Sequence, residues 1–199
     1  MEVSWKSLSE QVMKCKACRL CETRTHTVFG EGNVQAALML IGEGPGEQED
    51  VSGRPFVGPA GQLLDRILMA AGFKRKDVYI CNIVKCRPPH NRVPAEDECA
   101  ACRDYLRGQV ALVRPKVIVL LGSTATKAIL GQEMRITRDR GVWQLKKGMW
   151  IMPTYHPSAL LRDATKKRPV WEDFQAVRDK IKKLEGRIHT ENNEKDDTR

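Results

Sequence analysis

Apolar positions along the chain fall into short unbroken runs that alternate with longer periodic stretches. Residues 36–42, Ala-Ala-Leu-Met-Leu-Ile-Gly, are apolar throughout and end in a Gly/Pro-rich turn, which predicts a strand buried on both faces. Residues 78–84 and 116–121 repeat the pattern, and 150–154 supply a fourth run after a predicted hairpin at Lys146, Lys147 and Gly148. Between these runs the period changes. Leu63, Leu64, Ile67 and Leu68 recur at helical spacing within 61–71, closed by Gly72. Further helices are predicted over 95–113, bracketed by Pro94 and Pro115, and over 170–184. Strands alternating with helices predict a parallel sheet covered by helices, whose ligands bind in loops beyond the carboxyl ends of the strands. Three segments are therefore expected to converge: Gly42-Glu43-Gly44-Pro45-Gly46, residues 82–89, and His156-Pro157-Ser158.

Length and charge narrow this picture. At 199 residues and 41% hydrophobic content the chain supports one sizeable core and is short for two domains. We read one domain over 1–185 and a charged tail over 186–199. Ile188 is the tail's one apolar side chain, which predicts disorder. Lys and Arg number 34 against 25 Asp and Glu, a formal charge of +9 that favours a polyanionic partner. No apolar run approaches the roughly 20 residues of a membrane span, and the N-terminus opens with Glu2, Trp5 and Lys6 in place of a signal segment. The expectation is a soluble cytoplasmic protein, read as a monomer.

Seven cysteines in a reducing compartment point to a metal or cluster before a disulfide framework. Cys15-x-x-Cys18-x-x-Cys21 is compact enough for two or three thiolates to reach one centre. Spacing leaves three readings open. A ferredoxin would continue with a nearby fourth cysteine and proline, which are missing. Zinc could join Cys15 and Cys18 to Cys99 and Cys102. A 4Fe-4S cluster could draw on Cys15, Cys18, Cys86 and Cys102 or a neighbour. Cys81, inside an apolar run, reads as a core residue.

The first loop is not a phosphate loop, since it lacks the Lys-Ser/Thr pair and carries four acids. Taken in order, Gly42 to Asp50, Gly53-Arg54-Pro55-Phe56-Val57-Gly58, Asn82-Ile83-Val84-Lys85-Cys86-Arg87-Pro88-Pro89 and His156-Pro157-Ser158-Ala159-Leu160-Leu161-Arg162 closely resemble the signature of family-four uracil-DNA glycosylases. The resemblance runs from about Cys15 to Leu184. It implies a uracil-DNA glycosylase-like three-layer α/β/α sandwich with a central four-stranded, mainly parallel sheet. It also implies a 4Fe-4S cluster on Cys15, Cys18, Cys86 and Cys102, leaving Cys21, Cys81 and Cys99 outside the set, with a structural role. The implied partner is uracil-containing DNA, single- or double-stranded. The implied reaction is monofunctional hydrolysis of the N-glycosidic bond, leaving an abasic site and initiating base excision repair of deaminated cytosine.

The residues suit that chemistry. Uracil in a duplex must be extruded into a pocket at a cost of a few kcal/mol. Phe56 is the expected stacking platform, and Gly42, Gly44 and Gly46 bring backbone close to the base. Asn82 offers an acceptor and donors that match uracil N3–H and O4 and mismatch cytosine. His156 is placed to donate to the charge developing on uracil O2. The best-known glycosylase branch has a water-positioning Asp where this chain has Gly44, so Glu43 is the first candidate for that role, Glu49 the second and Asp50 the third. Leu160 and Leu161 are candidates to wedge into the duplex, with Ser158 and Arg162 on the DNA side. Lys166, Lys167, Arg168, Arg87, Arg92 and the Ser123-Thr124 turn add phosphate partners. A related branch forms a covalent link through a His in an Arg-rich insertion; that insertion is missing, so His90 is expected at the surface. The competing classes are a non-catalytic iron-sulfur DNA-binding module and a ferredoxin-like electron carrier. Neither requires Glu43, Phe56, Asn82 and His156 together. No motif in the tail supports contact with a replication clamp.

Overall fold

A computed structural model describes the backbone of residues 4–196 and the side chains of residues 4–186. Its strands are β1 (Glu31–Gly32), β2 (Leu38–Gly42), β3 (Tyr79–Asn82), β4 (Val117–Leu121), β5 (Gln144–Lys146) and β6 (Met149–Thr154). Its helices are α1 (Trp5–Met13), α2 (Glu47–Ser52), α3 (Pro59–Ala70), α4 (Glu96–Val113), α5 (Ser123–Leu130), α6 (Ile136–Asp139), α7 (Pro157–Arg162) and α8 (Lys167–Asp196). Side chains in the tail expected from residue 186 lie almost wholly outside the described residues, although the backbone of α8 continues to Asp196. Among the described residues no helix is long and apolar enough to cross a membrane.

The four predicted strands form the centre of the sheet in the order β3-β2-β4-β6, all parallel. Two short antiparallel edges, β1 and β5, extend it to six strands. The expected hairpin links β5 to β6, with Lys147 and Gly148 at φ 50° and 77°, the paired positive values that match strand twist. All five residues of β2 and of β4 are buried, which is why their sequences carry no polar alternation.

Successive side chains of each strand feed opposite layers. Met39, Ile41, Ile118 and Leu120 pack with α4 through Cys102, Leu106 and Val113. Leu38, Leu40, Val117 and Val119 pack with Leu64 and Leu68 of α3, Leu160 of α7, and Phe174 and Val177 of α8. The result is the expected three-layer α/β/α sandwich. Register then sets the site: Gly42 pairs with Asn82 and Leu121 with Thr154, so the ends of β2, β3, β4 and β6 open onto one edge.

Candidate active site

The end of β2 meets the end of β3 beside Phe56. Asn82 is 1% exposed, and its Oδ1 is the buried side-chain atom among the described residues that has no hydrogen-bond partner. Gly42 faces it. A Cβ at Gly42 would lie 2.5 Å from Asn82 Oδ1 and 2.5 Å from Phe56 Cζ. Glycine thus lets an amide acceptor and an aromatic ring both come up against the main chain. Phe56 is held at φ 52°, a strained conformation for an aromatic residue. His156 completes the group, its ring centroid 5.6 Å from that of Phe56.

Long-range polar clamps impose the Phe56 geometry. Glu49, in α2, accepts from Val57 N at 2.8 Å and Gly58 N at 2.7 Å through Oε1, and from Gly46 N at 3.1 Å through Oε2. From the other side Arg75 donates to the Phe56 oxygen at 3.2 Å and the Pro55 oxygen at 2.5 Å, and is itself held by Glu31 and Asp65. Asp50, buried at 3% exposure, accepts the Thr25 N–H. Glu49 and Asp50 therefore hold backbone, whereas Glu43 is partly exposed at the β2 end and takes a hydrogen bond from the Thr124 hydroxyl at the start of α5. A side chain at Gly44 would collide with Val84, its Cβ lying 2.8 Å from Cγ2, so this loop has no room for an acid at that point.

His156 caps α7. Its Nδ1 accepts the Ser158 N–H at 3.2 Å and lies 2.8 Å from the Ser158 hydroxyl, which leaves the ring proton on Nε2. Burial pushes its pKa down to about 4, helped by Arg162 and opposed by nearby Glu49, so the ring is a neutral donor at physiological pH. Along α7 the two leucines separate. Leu160 is 3% exposed within the core, so of the pair expected to wedge into DNA only Leu161, 51% exposed, stands in solvent. Arg162, Lys167 and Arg168 are exposed beside it, Arg168 bridging to Glu172 and Lys166 to Asp163. His90 is exposed as expected. Arg92 is turned inward to Glu98 at 2.6 Å, and Arg87 bonds Asn91 at 2.8 Å.

A cavity lies behind the β3 end. Cys15, Cys18, Cys21, Cys86 and Cys102 line it together with Arg24, Lys85 and Tyr105. Arg24 donates to Cys86 Sγ at 3.1 Å and to the Cys15 oxygen at 2.8 Å, tying the N-terminal cysteines to the β3 loop. Burial pushes the Cys86 thiol up to about 11 and also raises Cys18 and Cys102. Cys99 opens elsewhere, onto a broad groove shared with Glu43, and Cys81 is buried in the sheet. No three His, Cys, Asp or Glu side chains among the described residues converge to hold a single metal ion. Lys85 and Gln109, which periodicity passed over, connect this cavity to Asn82: Lys85 is fully buried and donates to the Asn82 main-chain oxygen at 2.7 Å and to Gln109 Oε1 at 2.6 Å. The signal available was a lysine inside the apolar run Ile83-Val84-Lys85-Cys86.

Known proteins resemble the chain over most of its length. The sequence model of the Uracil DNA glycosylase superfamily matches residues 29–175. The chain is 48% identical over 182 residues to a Type-4 uracil-DNA glycosylase of Thermotoga maritima, covering 88% of this chain and 94% of that protein. It is 45% identical over 185 residues to a Type-4 uracil-DNA glycosylase of Sulfurisphaera tokodaii, covering 88% and 84%. A third, from Saccharolobus solfataricus, is 40% identical over 183 residues, covering 87% and 85%.

Proposed function

The chain belongs to the uracil-DNA glycosylase superfamily, and from that premise we propose that it takes uracil flipped out of DNA and hydrolyses its N-glycosidic bond, initiating base excision repair. The orphaned Asn82 Oδ1 carries this reading. An unmet buried acceptor costs about 1–3 kcal/mol, a cost that a ligand donor relieves. Uracil N3–H is such a donor, while the unprotonated N3 of cytosine would oppose acceptor to acceptor.

Each remaining group takes a role. Phe56 stacks on the flipped base, and Gly42 leaves room for it beside Asn82. His156 donates Nε2–H to uracil O2 as the C–N bond breaks and negative charge moves onto the ring. A neutral donor suits this step, because no proton has to leave the protein for uracil to depart as an anion. Glu43, oriented by Thr124, positions the water that attacks the cationic sugar carbon. Glu49 acts indirectly, by setting the Gly46 to Gly58 loops around the base. Leu161 fills the gap in the duplex, and Ser158 and Arg162 meet the backbone. DNA binding of this kind falls steeply with salt.

The cysteine cavity suits a 4Fe-4S cluster on Cys15, Cys18, Cys86 and Cys102. The donor set is all thiol, with Cys86 and Cys102 buried and Cys15 and Cys18 half-buried around one cavity. Held there, a cluster would supply a covalent pin joining the N-terminal segment, the β3 loop and α4. The test is cleavage of single- and double-stranded oligonucleotides bearing one uracil by the holoprotein, with alkali to open abasic sites and iron counted in parallel. Strand opening at uracil with about four irons per chain is expected; no opening by an iron-loaded protein overturns the reading.

A further inference from the structure

Lys85 is 1% exposed and sits between the base pocket and the cysteine cavity. Its Nζ has the Asn82 oxygen at 2.7 Å and Gln109 Oε1 at 2.6 Å, with the Cys81 sulfur beside it. Two directed acceptors, a main-chain oxygen and a side-chain amide, thus meet its donors. Among the described residues no carboxylate pairs with it. A buried cation so placed is expensive, and a methionine would fill the volume at lower cost. What the lysine adds is directed hydrogen bonding. Gln109 is itself fixed, donating to the Phe29 oxygen at 2.7 Å and the Tyr79 hydroxyl at 3.0 Å. The main chain of Lys85 is anchored where it borders the cysteine cavity, its oxygen accepting from Val28 N at 2.7 Å.

We propose that Lys85 is a positioning residue for base recognition, its ammonium fixing the peptide after Asn82, and so the aim of the Asn82 amide, from a backbone held in the cysteine cavity. Through it the order of the cysteine cavity is transmitted to the base pocket. This rests on Asn82 reading uracil, and the test separates the two claims.

Wild type, Lys85→Met, Asn82→Ala and the double variant are compared as iron-loaded proteins in single-turnover cleavage of a uracil oligonucleotide and in inhibition by free uracil. Iron content and melting temperature are recorded for each. Lys85→Met is expected to keep its iron, to lose roughly 10- to 100-fold in kcat/KM, the range of a charge-assisted hydrogen bond, and to weaken uracil inhibition. In the Asn82→Ala background it should cost nothing further. An equal loss in both backgrounds, or unchanged uracil inhibition, overturns the proposal. Should Lys85→Met not fold, Gln109→Leu removes the ammonium's second anchor, with a smaller loss of the same non-additive kind expected and an additive one fatal. A wild type that releases no uracil defeats the glycosylase reading before any variant is compared.

Discussion

Asn82 and Glu98 are equally deep and oppositely equipped. Asn82 Oδ1 has no partner, whereas the Glu98 carboxylate, with no exposed side-chain surface, accepts from Arg92 at 2.6 and 2.8 Å, from Ala95 N at 2.8 Å and from Arg19 at 2.9 Å. Those bonds hold its pKa down to about 2, Arg92 contributing most. Glu98 also joins the segments that bear cysteines: Arg19 follows Cys18, Arg92 follows the Cys86 loop, and Glu98 shares α4 with Cys102. One region is completed by its own chain, and the other leaves a buried acceptor without a partner. Framework and site can thus be told apart by hydrogen bonding before any reaction is considered.

Substituting the incomplete group should give the largest effect on function and the least on folding. For Asn82→Ala we expect kcat/KM on uracil DNA to fall by roughly 1000-fold or more, as when a hydrogen-bonding site loses its complement. Its unfolding free energy should stay within about 1 kcal/mol of the parent, because the atom removed was unpaired. Single-turnover cleavage and thermal denaturation measure the two sides. Activity near that of the wild type would erase the contrast.

The completed region should behave in reverse. Glu98→Ala removes the carboxylate that gathers Arg19, Arg92 and the Ala95 N–H; because both arginines can turn to water, the cost is about 1–2 kcal/mol, with a fall of a few degrees in melting temperature. Iron retention should drop with it, since three cysteine-bearing segments lose their common tie. The fraction that stays folded and loaded should cleave uracil DNA within a few-fold of the parent. A variant that is stable but inactive would place Glu98 in the site instead of the framework.

The same division decided what the sequence could show. The strands at 38–42, 79–82, 117–121 and 149–154 were legible because continuous burial erases polar alternation, whereas β1 has only two residues and no period to detect, and three-residue β5 was signalled only by its hairpin turn. Gly42, Phe56, Asn82 and His156 were legible as ordered motifs, each next to a strand end or glycine turn. The clamps were not. Arg75 reaches the Phe56 loop from 19 positions away, Gln109 reaches Lys85 across 24 and Arg19 reaches Glu98 across 79, and no local pattern encodes such pairings. Spacing likewise put Leu160 and Leu161 on one footing, and only the packing of α7 against the sheet separates them.

His156 sharpens the comparison through pH. Its folded pKa of about 4 lies below the ordinary 6.5, so on acidification the unfolded chain takes up its proton first. The stability contributed by the neutral ring is complete above about pH 6.5, declines as pH falls and is gone below about 4, at most about 3 kcal/mol in all. Thermal melts at pH 7 and pH 5 should show a larger fall for the wild type than for His156→Asn. Equal falls would mean that the ring is not held neutral by its surroundings, and would remove the basis for its role as a neutral donor.

The smallest effect on folding is expected at Leu161, beside a residue with a large one. Leu160→Ala empties part of the core and should cost about 2–5 kcal/mol, with cleavage lost in proportion to unfolded protein on any substrate. Leu161→Ala removes solvent-exposed surface and should shift stability by less than about 0.5 kcal/mol. Its expected signature is selective: several-fold slower release of uracil from duplex DNA, where a flipped base leaves a gap to fill, and little change on a single strand, where there is none. Equal slowing on both substrates would assign Leu161 to general contact with the strand, and no slowing on duplex would remove it from the DNA interface.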